Sequence, residues 1–264
     1  MSYPVSAVRN RNFVAPAVFA PSDLFVGGYT GDIWDPSLTA NLWTDAGITQ
    51  VASDGDVIGR CTGRVNGNQI NQATAANKPT WQTAELNGQP VFRFDGINDV
   101  LVASAAIFDF TLQTTILAVT KQDVAIIDQV VVTSTITGAA GTLMRYRLNI
   151  SAQEIRGLWP LADKATGAVF GTWGVQALVF EATQAANGVT RVYSNGGTAG
   201  ASASGARTNG NDINLTLGGD GSASFLVGDV AYLLVINRKL TVAELNQFGT
   251  WANTRFGTSW VTAT

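Results

Sequence analysis

Histidine is absent from all 264 residues. That removes the Ser-His-Asp triad, the Cys-His pair and every His-ligated zinc or iron site. Cleavage by carboxylates needs two of them about 5–9.5 Å apart across the bond. The chain has four glutamates, Glu85, Glu154, Glu181 and Glu244, and none has an acidic residue two positions away. Glu244 stands three residues after Thr241 and reads as half of a capping box. No catalytic dyad is visible, so the expectation at this stage is a protein that is not an enzyme.

Oxygen ligands are more plausible. "FDGIND" puts Asp95, Asn98 and Asp99 on one short loop. With a backbone carbonyl these can hold calcium, which takes six to eight oxygens. The competing reading is that Asp95 caps a turn before Gly96 and Asp99 accepts loop amides. Asp54 and Asp56 in "ASDGDVIG", and Asp220 and Asp229 in "GGDGSASFLVGD", are turn signals first. Sugar recognition needs exposed aromatic faces beside polar side chains. Among seven tryptophans, Trp159 in "RGLWPLADK" precedes a proline in an expected loop, with Arg156 and Asp163 nearby. These three are the glycan-facing candidates. Trp173 leads a strand and is expected in the core, and Trp251 on the terminal helix is expected packed or half-exposed.

The elements that must position these residues are mostly strands. "QPVFRFDG" alternates with Val91, Arg93 and Asp95 on one face and Phe92 and Phe94 on the other. "DVLVASAAI", "TTILAVTKQ", "AIIDQVVVT", "TLMRYRLNI" and "VQALVFEAT" follow, then "TRVYSNG" after an Asn187-Gly188 hairpin signal. "NLTLGG" and "DVAYLLVINR" complete the series. Strands and turns without interleaved helices argue for an antiparallel sandwich. One helix closes the chain, over about 241–256. Thr241 and Glu244 start it, Val242, Leu245, Phe248, Ala252 and Phe256 recur at helical spacing, and Gly257 ends it. Its apolar stripe should pack on the sandwich as a lid.

Composition narrows the partners. Charged residues make up 13% of the chain, about half the usual ~25%. Net charge is −3 without basic clusters, which speaks against nucleic acid. No stretch reaches the roughly 18 apolar residues of a membrane span. Cys61 is alone, so no internal disulfide forms, and a buried thiol is expected. The first 25 residues hold three of the seven prolines. They read as an extended arm that docks on a partner, and proline interrupts what would be a signal-peptide core. Residues 26–264 are expected to form one domain. The segment "NGGTAGASASGARTNGNDIN" reads as an adaptable contact surface or a solvated loop.

Three stretches resemble the concanavalin A-like, laminin G-like jelly roll. "KPTWQTAELNGQPVFRFDGINDVLVA" is similar to its opening pattern, and "GTWGVQALVFEATQAANGVTRVYSNGG" to its middle one. "LTLGGDGSASFLVGDVAYLLVINRKLTVAELNQF" is similar to its closing strand and helix. The upstream "IWDPSLTANLWTDAGITQVASDGDVIGRCTGRVNGNQINQATAANKPTW" resembles a lead-in of bacteriophage proteins carrying this domain, such as tail-fibre, spike or capsid-decoration proteins. The usual loop there carries a histidine, and "TGRVNGNQINQ" does not. The resemblance implies an all-β concanavalin A-like sandwich with an N-terminal arm and a C-terminal helix, on the exterior of a virion. Its implied partners are other virion proteins, further copies of itself and host-surface polysaccharide, with no cofactor unless calcium is held. Glycosidases of this fold use E-x-D-x-E-type runs, which this chain lacks. Arg9, Arg11, Phe13 and Phe19 are the expected anchoring residues. The alternative is a free bacterial lectin.

Overall fold

The computed structural model describes residues 18–107, 112–123, 129–136, 142–149, 154–159, 161–166, 171–181, 183, 186–204, 213–220 and 224–264. The strands are β1 (Gly31–Trp34), β2 (Leu42–Trp43), β3 (Arg60–Thr62), β4 (Gln69–Asn71), β5 (Thr80–Leu86), β6 (Gln89–Asp95), β7 (Leu101–Ala103), β8 (Thr114–Gln122) and β9 (Gln129–Ile136). They continue with β10 (Thr142–Asn149), β11 (Glu154–Trp159), β12 (Leu161–Thr166), β13 (Trp173–Phe180), β14 (Gly188–Ser194), β15 (Gly200–Ser204), β16 (Ile213–Leu217) and β17 (Val227–Ile236). The helix α1 spans Val242–Phe256.

Two antiparallel sheets face each other. The first runs β15-β14-β13-β8-β17-β6-β5, with β1 also pairing β17. The second runs β12-β11-β10-β9-β16-β7-β4-β3-β2. The architecture is the all-β, jelly-roll-like sandwich with one terminal helix that the sequence pattern implies.

The unbroken apolar runs of the first sheet follow from burial on both faces. In β8, Ile116 and Ala118 face the inter-sheet core, while Leu117 and Val119 face outward beneath the helix. In β13, Leu178 and Phe180 point in, and Val175, Ala177 and Val179 point out. A bulge between Val230 and Tyr232 shifts the phase of β17, so Ala231 and Tyr232 both join the outer cluster. A third layer results, in which Leu245, Phe248, Ala252 and Phe256 of α1 cover the outer face of this sheet.

Local chemistry fixes the helix ends. The Thr241 hydroxyl accepts from the Glu244 amide at 3.3 Å, and the Glu244 carboxylate accepts from the Thr241 amide at 2.8 Å. Gly257 takes the left-handed conformation with φ 66°. Arg238 donates to Glu244 at 2.7 Å and to the Leu24 carbonyl at 3.0 Å. It thereby ties the helix start to the other end of the chain. There Pro21–Phe25 is a 3-10 turn with Leu24 and Phe25 buried in the outer cluster, so this part of the expected arm is folded onto the sandwich. Phe19 is half-buried against the same cluster, whereas Arg9, Arg11 and Phe13 lie outside the described residues. Cys61 is buried in the inter-sheet core, and burial pushes its thiol pKa well up. Among the described residues no helix is long and apolar enough to cross a membrane.

Candidate ligand cleft at one end of the sandwich

Four strands contribute one straight row of side chains across the outer face of the first sheet. The register aligns Arg93 of β6 with Asp229 of β17, Asp229 with Lys121 of β8, and Lys121 with Trp173 of β13. Two residues further along each strand lie Val91, Val119 and Val175 of the outer cluster. The row is therefore the polar end of an otherwise apolar face, just beyond the cover of α1.

Asp229 is fully buried, and a buried carboxylate requires compensation. Arg93 supplies it with a fork, Nε to Oδ1 at 2.7 Å and Nη2 to Oδ2 at 3.1 Å. Lys121 Nζ adds a contact at 3.1 Å. Arg93 also reaches Glu85 at 3.1 Å, and Lys121 reaches Asp123 at 3.0 Å. The hydrogen bond to Asp229, opposed by burial, drives the Arg93 pKa further up. Burial works against the Lys121 charge, but bonds to Asp123 and Asp229 outweigh it and raise that pKa as well. Both cations are thus held charged and oriented. The Lys121 amine sits 5.6 Å from the centre of the half-buried Trp173 ring, a cation–π contact. Trp173 is half-buried, packs against the outer cluster and forms the aromatic end of the row.

The row opens into a cleft of about 450 Å3 bordered by Lys78, Thr80, Arg93, Asp95, Asp99 and Asp123. Here the "FDGIND" loop contributes directly. Asp95 Oδ1 accepts from the Ile97 amide at 2.8 Å and the Asn98 amide at 3.3 Å, an Asx turn. Gly96 adopts φ 77°, and a Cβ there would collide with Val227, so glycine is what lets the loop lie against β17. Asp99 Oδ2 accepts from the Asp95 amide at 3.0 Å. The Oδ1 of Asn98 is buried with no hydrogen-bond partner among the described residues. Burial, reinforced by the Asp95 charge, raises the Asp99 pKa to about 6.

That shift has a measurable consequence. The native carboxyl keeps its proton up to about pH 6, whereas an ordinary Asp releases it near 3.8. Between these values the native state binds more protons than the unfolded chain, so stability falls as pH rises through this window. Asp99→Asn keeps an acceptor for the Asp95 amide and removes the charge. We expect it to gain about 1–2 kcal/mol at pH 7 and to flatten the stability profile between pH 4 and 6. Urea unfolding across this pH range checks both, and an unchanged pH profile in the variant refutes the assignment.

The sequence-predicted sites fare differently. Asp95, Asn98 and Asp99 do lie together. Asp95 and Asp99 each accept loop amides, and among the described residues no group of three or more His, Cys, Asp or Glu side chains is placed to hold a metal ion. Asp54 binds the Thr83 amide and hydroxyl, Asp56 the Ala52 and Ser53 amides, and Asp220 the Ser224 amide. Trp159 is not in a loop. It ends β11 and pairs with Leu161 in the hairpin to β12. Asp163 pairs with Gly157 and Arg156 with Lys164. This hairpin forms the edge of the second sheet, away from the cleft. Sequence reasoning missed Arg93, Lys121, Asp123 and Trp173 as site residues. The available signal was Asp229, an acidic residue inside the buried run "VGDVAYLLVI", which needs a cationic partner.

No family model matches this chain, and no curated protein sequence does either. Solved structures do share the fold. A Trypanosoma rangeli sialidase in complex with the inhibitor DANA superposes with TM-score 0.55 at 16% identity, over 75% of this chain and 31% of that one. An α-L-arabinofuranosidase soaked with a cyclic sulfate inhibitor gives 0.59 at 12% identity, over 93% and 66%. A heptameric pentraxin from Limulus polyphemus gives 0.50 at 13%, over 65% and 88%. The chain spans about a third of the sialidase's length, and at such identities the likeness is one of fold. The expectation that the chain is not an enzyme does not stand, because two of these structures are glycosidases. A loop brings Asp95 and Asp99 to one cleft beside Asp123, where both accept loop amides. The virion part of the resemblance finds no counterpart in these comparisons.

Proposed function

We propose that this chain is a carbohydrate-recognition β-sandwich whose saccharide site is the cleft at Asp95, Asp99 and Asp123 together with the adjoining Arg93–Lys121–Trp173 row. The carrying observation is the cross-strand row. An aromatic ring, two fixed cations and several carboxylates offer the stacking surface and the paired donors and acceptors that a ring of hydroxyls requires. Five carboxylates (Glu85, Asp95, Asp99, Asp123 and Asp229) face three cations (Lys78, Arg93 and Lys121). That balance suits a neutral rather than an anionic sugar. The carbohydrate-active proteins that share the fold support the same class of ligand. A carboxyl whose pKa is raised to about 6, beside further acidic side chains, is also the arrangement general acid–base chemistry uses. Glycan hydrolysis therefore belongs in the same assay.

The finer reading places this domain on the exterior of a phage-like particle. The N-terminal arm would anchor it to capsid or tail, and the cleft would meet host-surface polysaccharide. Its support is the resemblance of the lead-in to phage proteins. The test of the site is a neutral glycan array probed with the wild type and with Trp173→Ala. Loss of one stacking ring should weaken binding by roughly tenfold. An array on which the wild type binds nothing, or on which the variant binds equally well, refutes the site.

A further inference from the structure

A second pocket adjoins the cleft at Lys78, which borders both. It has a volume of about 330 Å3 and is built on a cross-strand pair of the second sheet. Arg60 of β3 stands opposite Asn71 of β4. Their neighbours Cys61 and Ile70 are buried in the inter-sheet core, so alternation along each strand turns Arg60 and Asn71 to the outer face. The loop from Thr44 to Thr49 lies against this pair. Gly47 in that loop takes φ 110°, and a Cβ there would collide with the Arg60 guanidinium. Glycine thus lets the backbone close on the cation and fix its place.

Its donors outnumber its acceptors. Arg60 Nε donates to Asn71 Oδ1 at 3.2 Å, and Lys78 Nζ to the Thr44 carbonyl at 2.9 Å. Both partners are neutral, and among the described residues neither cation forms an ion pair. Both Nη groups of Arg60 and the amide nitrogen of Asn71 are likewise without a partner among the described residues. Asp45 is the one acidic side chain among the described lining residues, and its own loop uses it. Its Oδ1 accepts the amides of Gly47 at 2.9 Å, Ile48 at 2.7 Å and Thr49 at 3.1 Å. These bonds, that of Ile48 first, hold its pKa well below the usual carboxylate range. Lys78 also borders Asp95, Asp99 and Asp123 of the cleft without pairing with them, whereas Arg60 does not reach the cleft at all. Arg60, Asn71 and Lys78 are half-buried, so their free donors are partly dried yet still within reach of a ligand.

We propose that this pocket is an oxyanion site that takes the carboxylate of an acidic saccharide unit. The two free Nη groups of Arg60 form the planar fork that a carboxylate accepts in pairs. The Asn71 amide adds a neutral donor and Lys78 a second charge. The saccharide assignment rests on the carbohydrate reading above, while the anion site rests on this geometry alone. Because Lys78 is common to both concavities, the acidic unit would be the neighbour of a neutral unit held in the cleft.

The full chain is titrated by calorimetry with a glucuronate-containing oligosaccharide, with its carboxyl-reduced neutral counterpart and with sodium sulfate alone. The comparison is repeated in Arg60→Gln and Asn71→Asp. The second variant keeps the arginine and places a carboxylate beside it, so a loss there cannot come from missing arginine packing. The expected result is that the acidic oligosaccharide binds roughly tenfold more tightly than the neutral one. Each substitution should remove most of that advantage, and high salt should weaken it. Neutral binding should stay as in the wild type, and unchanged thermal unfolding shows that the fold is intact. Acidic binding no tighter than neutral binding, or a preference unmoved by both substitutions, overturns the proposal. Sulfate binding that needs Arg60, with no oligosaccharide bound, overturns the saccharide assignment. The two sites fail separately. Acidic binding that needs Arg60, without any neutral glycan binding, upholds this pocket and refutes the cleft. Neutral binding lost in Trp173→Ala, with no acidic preference, does the reverse.

Discussion

Asp32→Ala is expected to destabilise the fold by about 3–4 kcal/mol and to lower Tm by about 10 °C. Asp32 lies in β1 with no exposure. Its Oδ1 accepts the amides of Ile33 and Val65, both at 2.8 Å, and its Oδ2 those of Asn66 at 3.2 Å and Asn68 at 2.8 Å. The loop from Gly63 to Asn68 is therefore wound around one carboxylate. Gly63 packs against that group so closely that a Cβ would overlap it. Asn66 and Asn68 close the arrangement by donating to the Gly31 carbonyl at 2.8 and 2.9 Å. Removing the carboxylate leaves loop amides facing an empty, dry space, and each unmet amide costs about 1–3 kcal/mol. Asp32→Asn keeps one oxygen but turns an NH2 toward N–H donors, so it should lose about 2 kcal/mol. Urea unfolding measures both. A loss under about 1 kcal/mol in Asp32→Ala would show that the loop is held by something else.

Arg255→Ala is the second large effect, expected at about 3 kcal/mol. Arg255 lies in the last turn of α1 and grips Asp35 with a two-pronged contact at 2.8 and 2.9 Å. The Asp35 side chain is only 1% exposed. The same guanidinium donates to the Ser37 hydroxyl at 2.6 Å and to Gln89 at 3.2 Å. It also lies 4.9 Å from the Phe256 ring centre and 5.3 Å from that of Trp251. Truncation strands a buried carboxylate and unfastens the helix from the segment after β1. Arg255→Lys restores the charge without the fork, so it should recover only part of the loss. Amide hydrogen exchange in α1 should accelerate in the alanine variant before the sandwich itself opens. Uniform exchange across both layers would contradict the role of Arg255 as the fastener of the lid.

Local rules made the fold legible. Alternation in "VFRFD" set the faces of β6, the Thr241–Glu244 box and Gly257 set both helix ends, and the helical spacing of Leu245, Phe248, Ala252 and Phe256 foretold a lid. The cleft was not legible, because it is made by register. Arg93, Lys121, Trp173 and Asp229 are scattered over more than a hundred positions and meet only when β6, β17, β8 and β13 pair. Trp173 was expected in the core since it opens an apolar strand, and it does pack against the outer cluster, but its contact with Lys121 also makes it the aromatic end of the polar row. Trp159 was expected in a loop because a proline follows it in the sequence, whereas it ends β11 and pairs with Leu161 of β12. The acidic pair was sought along one strand at a spacing of two, whereas here a glycine turn brings Asp95 and Asp99 together at a spacing of four.

The most direct test of the central claim is an NMR titration of the full chain with neutral arabinose-, galactose- and glucose-based oligosaccharides, following the tryptophan indole and backbone amide signals. The account predicts shifts at the Trp173 indole and at the amides of Gly96, Lys121 and Asp229, with the Trp159 indole unmoved. Shifts confined to the Glu154–Thr166 hairpin, or none with any saccharide, would contradict it.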